Sequence, residues 1–299
     1  MEDIHCIPDE ISLALGGIAI ALRAAHPGFH LTIEPRLQAF QSKLEPEVVF
    51  CLHNEPAPVP ELGADHFASG KNWSVDAWQD KTVLRVRIPS IGPAYPSYAA
   101  VMNSTGEYGD IYQEDINGNE QKDSIPILET PLDEMLLIHL LARQRGLLLH
   151  AGAVCFEGNG ILFAGTSGSG KSTLINLWKD VPGVKLLGDE RISLRKREEA
   201  FWLYGTPWCS SASVASPEVA PLRAIFILKH ATENQAVPLR QSIATTSLLV
   251  RSFAPFWDAD GMTYTLQLLD ELVQMVPCYE LNFLPDLRVI EYLKWMISR

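Results

Sequence analysis

The run Gly-Thr-Ser-Gly-Ser-Gly-Lys-Ser-Thr at residues 165–173 is the feature that most constrains this chain. It satisfies the phosphate-loop pattern G-x-x-x-x-G-K-[ST]. An apolar run at residues 160–164 precedes it and a helix-forming run at residues 173–179 follows it, so we expect a strand, a glycine loop and a helix. In that context the glycines let backbone N–H groups turn toward a polyphosphate, and the helix N-terminus adds partial positive charge. We therefore expect the chain to bind ATP.

The positions of this loop have separate expected roles. Lys171 reaches the β and γ phosphates, and the hydroxyl of Ser172 is a ligand for Mg²⁺. ATP and Mg²⁺ are thus the expected ligands of the site. The other loop residues expected to hold the nucleotide are Gly165, Ser167, Gly168, Ser169, Gly170 and Thr173.

The composition is that of a folded globular protein with a sizeable core, since 47% of the residues are hydrophobic and 20% are charged. A net charge of −12 without a basic run disfavours nucleic acid and an acidic membrane surface as partners. The acidic start of the chain lacks the features of a signal peptide. The five scattered cysteines favour free thiols over a disulfide framework or a structural zinc site. We expect a cytoplasmic protein.

The N-terminal part, residues 1–128, differs from the rest and is predicted to be an α+β region. Residues 11–22 form an apolar run that is too short to span a bilayer, and we expect a core helix there, begun by Pro8-Asp9-Glu10. Asn117-Gly118 predicts a hairpin, and residues 115–120 are interpreted as a turn rather than a calcium loop, because the glycine comes at position four instead of six. Strands are predicted over residues 29–33, 48–52 and 82–88.

A second region is predicted over residues 129–299. It begins with a helix at residues 131–144, which Gly146 ends. Two apolar runs and the turn at residues 157–160 lead directly into the strand before the glycine loop, so neighbouring strands should pair antiparallel there, unlike a Ras-like or Rossmann-like sheet. The expected fold class is α/β with a mixed sheet. Further strands are predicted over residues 184–187, 192–194, 201–204, 222–228 and 278–283, and helices over residues 262–276 and 287–296.

A phosphate loop needs an acidic partner, and two candidates compete. Asp270 follows an apolar run, but Met262, Leu266, Leu269, Val273 and Val276 recur at the spacing of an amphipathic helix. Asp270 would lie off that face as a solvated charge. The alternative is Asp189-Glu190, eighteen residues after Lys171, where adjacent carboxylates can serve as base and metal ligand. We favour the second pair, beside which Arg191 would steady phosphoryl charge.

The segments at residues 150–154, 165–173 and 187–192 together resemble the catalytic domain of HPr kinase/phosphorylase, which shares its fold with ATP-dependent phosphoenolpyruvate carboxykinases. The likeness is strongest over residues 130–210 and weaker toward the C-terminus. It implies a P-loop kinase domain of this type. The N-terminal region does not resemble the usual N-terminal domain of these kinases.

By position, the resemblance implies that Asp189 is the catalytic base, that Ser172 and Glu190 are the magnesium ligands and that Lys171 clamps the phosphates. His150 would be an active-site histidine near the phosphates. Glu190 stands where the family has a second aspartate, so the extra methylene shifts the metal geometry. Residues 204–209 resemble a variant found in peptide-modifying gene clusters. That segment either borders the acceptor site or forms a strand end followed by a proline turn.

The resulting hypothesis is a kinase that transfers the γ-phosphate of Mg·ATP to the hydroxyl group of a serine in a peptide or small protein. The alternatives are a transporter-type ATPase, whose Ser-Gly-Gly signature is absent, a nucleotide-binding sensor or scaffold without phosphotransfer, and a carboxykinase. The sequence leaves open the identity of the acceptor, a phosphorylase activity and a homo-oligomer.

Overall fold

The computed structural model describes residues 10–26, 30–59, 67–69, 72–86, 97–114 and 124–297. In this part of the chain the protein is a mixed α/β protein with extensive sheets and few helices. It divides into two compact units, Met1–Ala14 with Ile18–Leu140 and Leu15–Gly17 with Leu141–Arg299. The domain boundary that we placed between residues 128 and 129 stays a prediction.

The first unit is built on an eight-stranded sheet. Its strands are β1 (Glu10–Leu15), β2 (Ile18–Ala24), β4 (Val48–His53), β5 (Phe67–Ser69), β6 (Trp73–Trp78), β7 (Lys81–Val86), β8 (Ser97–Met102) and β9 (Tyr108–Glu114). They lie in the order β1-β2-β4-β9-β8-β7-β6-β5, and β4 pairs parallel with both β2 and β9. Separately, β3 (His30–Thr32) pairs with β10 (Ser124–Pro126), and a 3₁₀ helix spans Pro35–Phe40.

The helix predicted over residues 11–22 is wrong, because β1 and β2 occupy this run. Gly16 and Gly17 adopt positive φ angles of 56° and 81° and make the two-residue turn between the strands. Two consecutive residues with positive φ are the signature of a tight hairpin turn, which glycine forms without steric cost. The apolar run is therefore two short strands of a sheet and not one helix.

Other predictions for the N-terminal part have mixed outcomes. The predicted strands near residues 30, 50 and 84 are confirmed as β3, β4 and β7. The hairpin at Asn117-Gly118 and the turn at residues 115–120 lie outside the described residues. The predicted helix at residues 131–144 is confirmed as α1 (Leu132–Ala142), and the Gly146 amide donates to the Leu141 carbonyl at 2.9 Å just after it.

The second unit contains one large mixed sheet and four helices among the described residues. In chain order these are β11 (Leu147–Phe156), β12 (Asn159–Ala164), α2 (Lys171–Trp178), β13 (Lys185–Gly188), β14 (Arg191–Arg197), β15 (Ala200–Tyr204), β16 (Val219–His230), β17 (Gln235–Pro238), α3 (Gln241–Leu249), α4 (Ala259–Met275), β18 (Cys278–Phe283) and α5 (Arg288–Ile297). The strand order is β12-β11-β14-β15-β16-β18-β17, with β13 on β11 and a further pairing of β12 with β16.

The strand before the glycine loop lies between two neighbours of opposite direction. β11 pairs antiparallel with β12, with Ala151 opposite Ala164, as the sequence predicted. β16 runs parallel to β12, with Ile227 opposite Ala164. The C-terminal ends of β12 and β16 and the His150 region of β11 therefore meet at one edge of the sheet.

Alternate residues of β12 face two separate apolar cores, as expected for a strand that is covered on both faces. Leu162 and Ala164 pack in a core with Leu248 of α3 and Leu269 of α4. Ile161 and Phe163 pack in the other core with α2 and α5, whose contributions include Trp178 and Leu293. Among the described residues, no helix has both the length and the apolar character needed to cross a membrane.

The buried face of α4 differs slightly from the predicted stripe. Leu269, Val273 and Val276 are buried as expected, but Leu266 is 43% exposed and Leu268 and Leu272 take its place in the core. Asp270 is exposed and accepts a hydrogen bond from Gln274 Nε2 at 2.8 Å. The interpretation of Asp270 as a solvated helix residue is confirmed.

Two leucines on α4 give a matched test of this packing. We expect Leu269→Ala to lower the free energy of unfolding by about 2–5 kcal/mol, because the side chain is fully buried and its removal leaves a cavity. Leu266→Ala should change that free energy by less than about 0.5 kcal/mol. Urea unfolding of the two variants measures both values, and equal losses would contradict the orientation of α4.

Candidate functional site

The glycine loop has the backbone geometry of a tight strand-to-helix connection. Gly168 and Gly170 have φ angles of 78° and 92°, and Gly170 caps the first turn of α2. A Cβ atom at Gly165 would lie only 2.0 Å from Ser169 Oγ, so a larger residue there would displace the Ser169 side chain. Ser169 Oγ is buried and has no hydrogen-bond partner within the described residues. The loop therefore curls tightly and retains polar capacity for a ligand.

A cavity of about 490 Å³ opens above this loop in the second unit. It is lined by His150, Ser167, Gly168, Gly170, Lys171, Ser172, Thr173, Glu190, Ser210, Ser211 and His230. All of these except the last three are residues that the sequence predicted for the site. Of the other predicted residues, Gly165, Ser169, Asp189 and Arg191 do not line the cavity, although each belongs to a segment beside it.

Lys171 is the buried cation of the cavity, with only 6% of its surface exposed. Its Nζ donates to the carbonyl oxygens of Gly165 at 2.8 Å and Thr166 at 3.2 Å, and it lies 2.9 Å from His150 Nε2. Burial lowers the pKa of the ammonium, although the charge of Glu190 opposes this effect. The side chain is thereby held over the loop, where a phosphate oxygen would find a strong donor.

His150 connects the lysine to the acidic residue of the cavity. The Lys171 ammonium can only donate, so His150 Nε2 is the accepting nitrogen, while Nδ1 lies 3.4 Å from Arg191 Nη1. That Nδ1 lies 3.5 Å from Glu190 Oε1. Burial lowers the pKa of the imidazole below its ordinary value, and the positive charge of Lys171 lowers it further. Both influences favour the neutral form of the imidazole.

Glu190 and Arg191 form a charged pair at the start of β14. The Glu190 carboxylate accepts a hydrogen bond from Arg191 Nη1, and the guanidinium lies 4.2 Å above the ring of Phe253. Thr206 Oγ1 donates to the Arg191 carbonyl at 2.6 Å and so ties the neighbouring loop to this strand. These contacts hold Glu190 at the cavity wall and Arg191 directly behind it.

Asp189 is fully buried, and its carboxylate binds backbone amides instead of facing the cavity. Oδ2 accepts from Ala212 N at 2.7 Å, while Oδ1 accepts from Ser210 N at 3.0 Å and Val214 N at 3.4 Å. Hydrogen bonds from amides to an ionised acceptor are strong. Asp189 therefore holds the segment at residues 210–214, which brings Ser210 and Ser211 to the cavity wall.

Three lining residues were missed by sequence reasoning. His230 ends β16, stacks on Phe283 with ring centroids 5.5 Å apart and places Nε2 3.0 Å from the Gly168 carbonyl. The parallel pairing of β16 with β12 was the signal that could have found it, because ligands bind at the carboxyl ends of parallel strands. Ser210 and Ser211 carried no such signal, since the contacts that place them come from Asp189. Residues 204–209 do not line the cavity.

The residues present fit a polyphosphate with a divalent cation. Lys171 lines the cavity, and Arg191 and Arg251 lie close enough to act on its charge. Glu190 is the acidic group on the cavity wall. The Ser172 hydroxyl and the Glu190 carboxylate line the same cavity and offer the oxygen ligands that Mg²⁺ prefers. The start of α2 adds the backbone amides and partial positive charge of a helix N-terminus.

The fold and the cavity thus define a mixed α/β protein with a glycine loop at a strand-to-helix junction. A sequence family described as "SynChlorMet cassette protein ScmC" matches residues 116–284, and the chain belongs to this family. No curated protein sequence matches the chain. Among solved structures, the Hpr(Ser) kinase/phosphatase from Coxiella burnetii matches with 11% identity and a TM-score of 0.29, covering 51% of this chain and 99% of that one. A likeness at this level supports no conclusion about fold or activity.

The protonation state of His150 is directly measurable. We expect its imidazole to titrate below about 6.5, the ordinary value, because burial and Lys171 both disfavour the charged form. Lys171→Met removes one of the two causes and should raise the His150 pKa. An NMR pH titration measures the His150 pKa in the wild type and in Lys171→Met, with the His150 resonance assigned by comparison with His150→Gln. A midpoint at or above the ordinary value, or one that Lys171→Met leaves unchanged, would contradict the arrangement.

Proposed function

We propose that the protein is an ATP-dependent kinase, which transfers the γ-phosphate of Mg·ATP to the hydroxyl group of a serine in a peptide or small protein. The observation that carries the proposal is the cavity in which the glycine loop, Lys171, His150 and Glu190 meet. Phosphoryl transfer depends mainly on positioning and on charge stabilisation, and this cavity offers the groups for both.

The loop and its lysine bind the phosphates in this proposal. The amides of residues 165–173 surround the chain of phosphates, and the Lys171 ammonium, already held toward the cavity, binds the β and γ oxygens. His150 keeps the ammonium in place through Nε2. Arg191, whose plane is fixed on Phe253, stabilises charge that develops on the transferring group. Ser172 and Glu190 would hold the metal ion, which supplies charge neutralisation.

The acceptor hydroxyl needs a proton acceptor, for which Asp189 is the proposed base. Its carboxylate is bound by three amides of residues 210–214, so it reaches a hydroxyl only if this segment moves. Ser210 and Ser211 belong to this segment and line the cavity, which makes the segment the proposed contact for the acceptor. The family is described as a cassette protein, so the neighbouring genes are the first place to look for that acceptor.

The second candidate is a nucleotide-binding sensor or scaffold. The same observation on Asp189 favours it, because a carboxylate that only organises a loop leaves the cavity without a base at that position. Such a protein would bind ATP through Lys171 and the loop and would not transfer phosphate. A measurement of phosphate transfer from ATP separates the two functions.

Nucleotide binding is expected to depend on Lys171. Lys171→Ala deletes a charge-assisted contact and should weaken ATP binding roughly 10-fold or more. Isothermal titration calorimetry measures the change, with thermal unfolding as a check that the variant is folded. Lys185→Ala, which removes an exposed lysine paired with Glu218 outside the cavity, is the matched control and should leave the affinity unchanged. Unchanged ATP binding by folded Lys171→Ala would rule out the loop as the phosphate site.

Phosphoryl transfer is expected to depend on Asp189 in a way that separates its two roles. As a base, Asp189→Asn should slow transfer, or slow ATP hydrolysis to water, by about 10²–10⁴ while ATP binding persists. In either role the variant should lower the melting temperature, because an amide cannot accept from all three backbone N–H groups. As the anchor of residues 210–214 alone, Asp189 should leave no rate loss of this size, so the rate separates the two roles. Glu190→Gln serves as the comparison and should weaken ATP binding with Mg²⁺ more than without it. Equal ATP hydrolysis by wild type and Asp189→Asn, with no phosphate transferred to a peptide library by either, would contradict the kinase function and leave the sensor function.

A further inference from the structure

The first unit contains a cluster of metal-binding side chains that the proposed kinase function does not use. Nitrogen atoms of His26 and His53 and a carboxylate oxygen of Glu55 all lie within 4.8 Å of one another. The sheet topology explains why they meet. β2, β4 and β9 are parallel neighbours, with Ala24 opposite Leu52 and Leu52 opposite Ile111. The residues that follow β2 and β4 therefore emerge at the same edge.

The imidazole of His53 has its orientation and its proton set by its surroundings. Nε2 lies 2.9 Å from Asp110 Oδ1 on β9, and because an ionised carboxylate only accepts, Nε2 is the nitrogen that donates. The ring also stacks on Tyr112, with centroids 4.5 Å apart and planes inclined by 17°. Nδ1 is thus left with a free lone pair in a ring that cannot turn easily.

That Nδ1 atom is buried and has no hydrogen-bond partner in the described part of the chain. Glu55 Oε1 lies 3.7 Å away, which is too far for a hydrogen bond. Zinc bonds to nitrogen and to carboxylate oxygen are about 2.0–2.2 Å long, so a tetrahedral ion holds two such ligands roughly 3.4 Å apart. The gap between Nδ1 and Oε1 matches the space around an ion better than a direct contact.

We propose that His26, His53 and Glu55 bind a divalent transition-metal ion, Zn²⁺, with Asp110 as the residue that positions His53. Two imidazoles and one carboxylate are a recurrent zinc ligand set that leaves one coordination position open. A carboxylate that receives the other ring N–H of a ligating histidine is the usual second partner of such a site. The ion would tie together the carboxyl ends of β2 and β4.

The test is zinc titration of the chelator-treated full-length protein by calorimetry, with Co²⁺ absorption as a spectroscopic report of tetrahedral binding. Wild type should bind one Zn²⁺ at this site. His26→Asn and Glu55→Gln change exposed residues and should keep the fold, and each should weaken zinc binding at least about 10-fold, as should His53→Ala. Asp110→Asn keeps all three ligands and should weaken binding by about 10–100-fold.

His30→Asn is the matched control, because it removes an exposed imidazole outside the cluster. It should leave the zinc affinity and the Co²⁺ spectrum unchanged. Absence of zinc binding by wild type would overturn the proposal. Zinc affinity that persists in folded His26→Asn and Glu55→Gln would overturn it as well, because the ion would then be bound elsewhere, for example at the exposed Cys209 thiol.

Discussion

The pairing of β12 with two strands of opposite direction is the constraint on which the second unit depends. Antiparallel β11 brings His150 beside the start of the glycine loop, and parallel β16 brings His230 to the other side of it. Because β11 also pairs with β14, with His150 opposite Arg191, the acidic Glu190 enters the same edge. One set of backbone hydrogen bonds thus gathers side chains that are 80 residues apart in the sequence.

The charges at this edge are the basis for the proposal that the cavity binds phosphate. The Lys171 ammonium lines it, the guanidinium groups of Arg191 and Arg251 act on that ammonium, and burial disfavours the charged form of both Lys171 and Arg251. Cations held close together in a partly desolvated space gain from a polyanion that neutralises them. Glu190 balances only part of this charge, and it is also the acidic group proposed to share a metal ion with Ser172.

The sequence predicted the loop, its helix and the antiparallel strand beside it because each rests on local pattern: glycine spacing, an apolar run and a Glu157-Gly158 turn. The helix predicted over residues 11–22 is wrong, because the two glycines in this run form a hairpin turn between two strands. The sequence also could not show what the Asp189 carboxylate binds. Its three amide partners lie 21 to 25 residues further along the chain, and no local pattern reports such contacts. His230 was missed for a similar reason, since only the pairing of β16 with β12 brings it to the loop.

The most direct test of the account is a crystal structure of the protein with Mg²⁺ and a non-hydrolysable ATP analogue. We expect the β and γ phosphates at the amides of residues 165–173 and within hydrogen-bonding distance of Lys171 Nζ, with the metal ion between Ser172 and Glu190. Displacement of residues 210–214 from Asp189 in that complex would add support for the base. Phosphates bound away from Lys171, or a metal ion held by Asp270, would contradict it.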